Sequence, residues 1–174
     1  MPGQRRRIGR GGFGAVYETV DANSGDPFAV KVVDMGRIDG GDPLARAALH
    51  REIKIMERLS HPHVIECLGS KDFDTDQPLT FMPLCEGTLH DLFFNGGKAS
   101  FQVCEQVLPQ MLRALDYLAA HRVRYRGIEP LNILCRTVVK YESDDSSEYH
   151  FQLAVREVGE EYGVGRWTLH VSGT

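Results

Sequence analysis

IGRGGFGAVYETVDANSGDPFAVK, residues Ile8 to Lys31, holds three glycines at G-x-G-x-x-G spacing (Gly9, Gly11, Gly14), then Val16, then a lysine in an apolar run. Glycines at that spacing let a backbone turn tightly and lie close to phosphate oxygens, because no Cβ blocks the approach. Val16, Tyr17 and Val20 on one side, and Phe28, Val30 and Val32 on the other, alternate with other residues, so each side reads as a strand. Asn23-Ser24-Gly25-Asp26-Pro27 between them is dense in turn formers. The pattern is therefore strand, glycine loop, strand, turn, strand, with Lys31 projecting from the third strand. The spacing alone is also compatible with a flexible hairpin or a dinucleotide loop. A dinucleotide loop, however, opens a helix and is followed by an acidic residue. This one opens a second strand and is followed by a lysine.

Around that stretch, 174 residues with 42% hydrophobic content suffice for one domain with its own core. A net charge of −4 with both signs interspersed points to neither nucleic acid nor an anionic membrane. The run Arg5 to Arg7 reads as a solvated strand edge. No apolar run reaches the ~18 residues of a membrane span, and the N-terminus lacks the apolar stretch of a secretory signal. Cys67, Cys85, Cys104 and Cys135 form no C-x-x-C pair, which fits reduced thiols in an intracellular protein, cytoplasmic or nuclear.

Further along, Asp34 to Asp42 reads as a loop, with Asp42 as N-cap and Pro43 opening a helix that runs to about Leu59. Leu49, Ile53 and Met56 form its apolar stripe, and Glu52 lies beside them. His61 and His63 lack a nearby carboxylate or cysteine to complete a metal site and read as a helix-ending loop. Val64 to Leu68 and Leu79 to Met82 read as an antiparallel pair completing a five-stranded sheet. Helices are expected over Thr88 to Phe94 and Phe101 to His121, the second interrupted at Pro109. Tyr141 to Tyr149 reads as a hairpin tip and Phe151 to Val155 as a brief strand. Beyond Arg156 no strong pattern emerges.

Taken in order, these pieces resemble a eukaryotic-type protein kinase of the serine/threonine class, from about Arg7 to Ala154. The resemblance rests on the glycine loop, Ala29-Val30-Lys31, the helix glutamate Glu52, His61-Pro62-His63-Val64, and the hinge-like Met82-Pro83-Leu84-Cys85-Glu86-Gly87. It implies an α+β, bilobal fold. An N-lobe over residues 7–82 would pair a five-stranded antiparallel sheet with one main helix. A hinge over 83–87 would lead to a mostly helical, incomplete C-lobe over 88–174 that ends in the activation segment. It also implies an ATP site. Gly9, Gly11, Gly12 and Gly14 would cover the phosphates, and Lys31, held by Glu52, would meet the α- and β-phosphates. Ile8, Val16, Ala29 and Leu134 would sandwich the adenine, and Met82 would guard the back of the pocket. The Pro83 carbonyl and the Cys85 amide would bond the adenine edge; Asn132 would hold a magnesium ion.

The catalytic half departs from the family pattern. Tyr125-Arg126-Gly127 stands where the family has His-Arg-Asp, so a glycine occupies the base position. Loss of a positioned base costs about 10²- to 10⁴-fold. Glu129 takes the place of the phosphate-clamping lysine, and a like charge at ~4 Å and dielectric ~20 costs about 4 kcal/mol before screening. Val155-Arg156-Glu157 stands where Asp-Phe-Gly would supply the main magnesium ligand; Glu157, Glu160 or Glu161 are the carboxylates that could replace it. Ser172-Gly173-Thr174 resembles the Gly-Thr before the kinase Ala-Pro-Glu motif, which would leave the remaining C-lobe helices absent. The expectation is a pseudokinase-like domain that binds ATP, with magnesium weakened, and works through a protein partner or an active kinase. The competing readings are a working serine/threonine kinase and a fragment with no function of its own.

Overall fold

Apolar alternation turns the first third of the chain into sheet. The computed structural model describes residues 6–11, 14–39, 43–94, 101–125, 127–140, 147–154 and 159–160. Strands β1 (Arg6–Gly11), β2 (Gly14–Val20) and β3 (Pro27–Val33) run antiparallel. Two further strands, β4 (Gly69–Lys71) and β5 (Leu79–Pro83), complete a five-stranded antiparallel sheet in the order β1-β2-β3-β5-β4. The β2–β3 turn forms as its residues predict: the Asp21 carboxylate accepts the Asn23 and Ser24 amides, and Gly25 takes a φ of 78° that only glycine adopts freely.

Between β3 and β4 the expected loop at Asp34 contains a short helix, α1 (Met35–Asp39). Asp34 Oδ1 accepts the Gly36 amide at 3.1 Å, and Met35 is buried, so a capping bond and an apolar anchor convert loop into turn. The main helix, α2 (Pro43–Met56), follows, with Ile53, Ile55 and Met56 buried.

The fourth strand differs from expectation. Val64 and Ile65 are buried, but they pair with the far end of the chain: Val64 bridges Leu153, and the Ile65 amide donates to the Leu153 carbonyl at 2.9 Å. That contact claims Val64 and Ile65, and pairing with β5 begins only at Leu68, whose amide donates to the Phe81 carbonyl at 2.8 Å ahead of β4.

Past β5, strand β6 (Gly87–Thr88) runs directly into helix α3 (Leu89–Phe94). Thr88 caps it: the Thr88 amide and hydroxyl both donate to the Asp91 carboxylate, and the Asp91 amide returns a bond to Thr88 Oγ1. Helix α4 (Phe101–Ala120) continues through Pro109 rather than being interrupted there. Strand β7 (Val123–Arg124), a 3₁₀ turn at Pro130–Asn132, and the hairpin β8 (Ile133–Lys140) with β9 (Ser147–Leu153) follow. The hairpin strands are longer than the sequence suggests. Gln106 and Gln110 of α4 supply the reason, because each side-chain amide bonds the outer edge of β9 like a neighbouring strand. Gln106 pairs with Ser147 and Tyr149, and Gln110 with Tyr149 and Phe151, all at 2.8–3.0 Å. Finally β10 (Gly159–Glu160) pairs with β7, in a region where the sequence offers no pattern.

One continuous apolar core joins the two halves, from Ala29 and Met82 through Ile55, Val64 and Ile65 to Met111, Leu118, Phe151 and Leu153. At its edge the loop histidines enter a chain of stacked rings. His61 packs on Tyr117 at 4.7 Å and beside His63, and His63 packs against His150 at 4.9 Å. Gly12, Asp42, Arg126, residues 141–146, Val155-Arg156-Glu157, Glu161 and Ser172-Gly173-Thr174 lie outside the described residues.

Candidate functional site

Register decides which sheet residues share a face. Lys31 sits opposite Val16 on one side and Thr80 on the other, and Ala29 sits opposite Met82. Pleating therefore brings Val16, Ala29, Lys31 and Met82 to one face of the sheet. Ala29 and Met82 belong to the core, with Val16, Cys85 and Leu134 packed against it. Ile8 lies in the irregular register between Arg7 and Gly9 and is half exposed.

Glycine positions differ in what they demand. A Cβ on Gly14 would lie 2.0 Å from the Val32 carbonyl oxygen, so the close approach of β2 to β3 admits no side chain. A Cβ on Gly9 would meet only Val16, at an ordinary 3.6 Å. Gly11 pairs with Gly14 where β1 turns into β2. Lys31 Nζ stands 3.9 Å from Glu52 Oε1, with both side chains largely buried, so helix α2 and strand β3 meet at this ion pair.

Strand β5 runs through Pro83, which pairs with Phe28, so the connector begins one residue later than the sequence suggests, and it is tied at several points. Cys85 Sγ lies 3.9 Å from Gln152 Oε1. The Glu86 amide donates to the Cys135 carbonyl at 3.1 Å, and the Glu86 carboxylate accepts the Thr137 amide and hydroxyl. Burial pushes the Cys85 thiol up from its ordinary value, and pushes the Cys135 thiol up to about 12. Both stay protonated and behave as packing groups.

The loop before β8 is closed on itself. Asn132 is buried, and both hydrogens of its side-chain amide are used: Nδ2 donates to the Gly127 carbonyl at 2.9 Å and to Glu129 Oε1 at 3.0 Å. Its backbone amide donates to the Glu129 carbonyl, and its carbonyl accepts the Ala154 amide at 2.8 Å. The Tyr125 hydroxyl donates to the Ala154 carbonyl at 2.7 Å. Sequence reasoning missed this use of Tyr125; a hydroxyl at the head of a loop that must fasten to a nearby strand end is the signal. It also missed the Glu129–Asn132 bond, which needs the 3₁₀ turn to bring residues three apart together. No group of three or more His, Cys, Asp or Glu among the described residues is arranged to hold a metal ion.

A cleft of about 810 Å³ opens elsewhere, lined by Arg10, Ala15, Tyr17, Val32, Asp76 and Leu79 among others. Ala15, Val32 and Leu79 alternate with Val16, Lys31 and Thr80, so the cleft occupies the opposite face of the sheet from Lys31. No helix among the described residues is long and apolar enough to cross a membrane.

Against known proteins, the family model described as the protein kinase domain matches residues 3–142. The serine/threonine-protein kinase cds1 of Schizosaccharomyces pombe is 29% identical over 97% of this chain and 34% of its own length. The MAP kinase kinase kinase wis4 of the same yeast is 31% identical over 80% of this chain and 10% of its own length. Cell division control protein 2 homolog 3 of Trypanosoma brucei brucei is 31% identical over 75% and 41% respectively. The chain thus spans about a third of the length of the relatives that it matches end to end. With four-fifths of its residues matched and the five-stranded sheet in place, this chain belongs to the protein kinase domain family.

Proposed function

We propose that this chain is a nucleotide-binding, protein-kinase-like domain that has lost phosphotransfer and acts by binding a protein partner or an active kinase. In this reading residues 1–174 form one domain, with a sheet lobe over 7–82, a hinge over 83–87 and a second lobe over 88–174. The observation that carries it is the contrast between the assembled Lys31–Glu52 pair and a loop with Gly127 at the base position and Asn132 bonded to Glu129.

An adenine nucleotide would lie on the Lys31 face of the sheet, opposite the cleft. Val16, Ala29, Met82 and Leu134 offer an apolar slot, the Pro83 carbonyl and Cys85 amide border it, and Gly9 leaves room that its own neighbours do not need. Lys31 would supply the charge for the phosphates, which Gly9, Gly11, Gly12 and Gly14 would cover, and Ile8 would join the adenine slot. Magnesium has less to hold it. It requires near-octahedral oxygen ligands, and no group of three or more His, Cys, Asp or Glu among the described residues is arranged to supply them beside Asn132. Four free thiols suit a reducing compartment, cytoplasmic or nuclear.

A second reading, an active kinase using Glu129 as its base, draws on the serine/threonine-protein kinase named among the relatives. Thermal shift with ATP, with and without magnesium, separates the two. The first reading expects stabilisation that Lys31→Ala removes and magnesium leaves unchanged. Magnesium-dependent stabilisation with turnover of ATP overturns it.

A further inference from the structure

The Lys31–Glu52 contact, at 3.9 Å, is at the long end of ion-pair range, so a small displacement of α2 would break it. What holds α2 at that distance divides along its length. Its C-terminal half is anchored by buried Ile53, Ile55 and Met56. Its N-terminal half is mostly exposed, with Leu44 77% accessible. There the described grip is polar. Arg46 Nη1 donates to the Phe73 carbonyl at 2.8 Å and to the Thr75 carbonyl, while Nη2 meets Asp76 Oδ1 at 3.3 Å. One turn on, His50 packs edge-on against Phe73 at 5.3 Å.

The gripped loop is itself pinned to the strand that carries the lysine. The Met35 amide donates to the Asp76 carbonyl and the Val33 amide to the Pro78 carbonyl, both at 3.0 Å, and Val33 is two residues from Lys31 on β3. Inside the loop, Thr75 Oγ1 donates to the Asp72 carbonyl and accepts the Gln77 amide. Arg46 therefore connects α2 to a braced turn rather than to a free one. Glu52 follows Arg46 by six residues, about 9 Å along the axis. A guanidinium fork meeting two carbonyls and a carboxylate fixes both the slide and the roll of the helix, which a single contact would not.

We infer that Arg46 is a positioning residue for the nucleotide site: its clamp on the 73–76 loop sets α2 so that Glu52 reaches Lys31. The functional part of this inference rests on the nucleotide-binding reading; the geometric part does not.

Carbodiimide cross-linking of the unliganded full chain reads the geometry directly. It joins Lys31 to Glu52 as an amide where they are in contact, and the peptides are counted by mass spectrometry. Lys54–Glu57, at 2.7 Å between the last turn of α2 and the residue that follows it, is the internal reference for a folded helix end. Arg46→Ala is expected to lower the ratio of the Lys31–Glu52 product to the Lys54–Glu57 product by about tenfold, as an ångström-scale displacement of a positioned group does. An unchanged ratio overturns the inference. If Arg46→Ala does not melt cooperatively, Arg46→Lys, which keeps charge and stem but not the fork, carries the same expectation and the same refutation. ATP thermal shifts of Arg46→Ala, Glu52→Ala and the double variant then test the route. Arg46→Ala should add no further loss once Glu52 is gone, and an equal loss in both backgrounds contradicts action through Glu52. Absence of any ATP shift in the unmodified chain counts against the nucleotide reading, and the cross-link ratio still decides the clamp.

Discussion

The sheet region from Arg6 to Pro83 and the loop from Tyr125 to Asn132 belong to one core but have kept different things. In the sheet, two elements are brought together across the chain: Lys31 of β3 meets Glu52 of α2, and a Cβ on Gly9 would meet only Val16, at an ordinary distance. In the loop, the polar groups point at one another. Glu129 binds Asn132, Asn132 binds Gly127, and Tyr125 binds Ala154. A loop built to move a proton and hold a metal needs groups aimed outward at substrate. This one spends them within itself. On the proposed reading, the fold keeps the cradle for a ligand while the chemistry beside it closes into structure.

The largest effect should come from the sheet. Gly14→Val places a side chain on the Val32 carbonyl, at a contact of 2.0 Å for the Cβ alone. Overpacking of that kind costs about 3 kcal/mol or more, and chemical denaturation should show a large fall in stability and loss of ATP binding together. Retained stability would mean that β2 and β3 can separate there, and the sheet would no longer be the rigid member of the pair.

Next, Lys31→Ala should abolish the ATP-induced thermal shift while the unliganded protein loses only about 1 kcal/mol, because the pair that it breaks is long. The gap between those two numbers is what marks Lys31 as a ligand-facing group rather than a structural one. Equal losses in both measurements would erase that distinction.

Glu129→Gln sharpens the other side. It keeps the shape and removes the charge near the phosphate end. Two like charges at ~4 Å and dielectric ~20 repel by about 4 kcal/mol, and screening leaves part of this, so ATP should gain about tenfold in affinity relative to adenosine by calorimetry. No change in the ATP-to-adenosine ratio would place Glu129 outside the reach of the phosphates.

The smallest effect lies in the stacked rings at the edge of the core. Burial holds the imidazoles of His61 and His63 below their ordinary 6.5, with His150 and Arg113 adding to the effect at His63. The unfolded chain therefore takes up protons first as pH falls. Stability from these groups is complete above about pH 6.5 and declines below it. The melting temperature should drop between pH 7 and 5.5 by about 2 °C or less per histidine, and His63→Gln should flatten the profile.

Legibility followed the range of the interactions. The strands on either side of the glycines, the place of Lys31 on β3 and the turn at Gly25 are local patterns, and each stands where its residues indicate. The apolar run Val64 to Leu68 looks strand-like throughout, but only Leu68 bonds β5. Val64 and Ile65 take Leu153 as partner, far along the chain, and no local rule reaches that distance. The full length of β9 was hidden for the same reason, since Gln106 and Gln110 act as its edge only once α4 has packed. In the loop, the substitutions at Gly127 and Glu129 were visible as departures. Their consequence, a carboxylate bonded to Asn132, required the backbone turn between them.

The most direct test of retained binding without transfer is phosphorus-31 NMR of ATP with stoichiometric protein, magnesium and a serine-rich acceptor protein. The account predicts ATP resonances broadened by binding, sharpened again by Lys31→Ala, and constant in integral over hours. Growth of ADP signals at a rate that Lys31→Ala abolishes, or ATP lines unaffected by the protein, would contradict it.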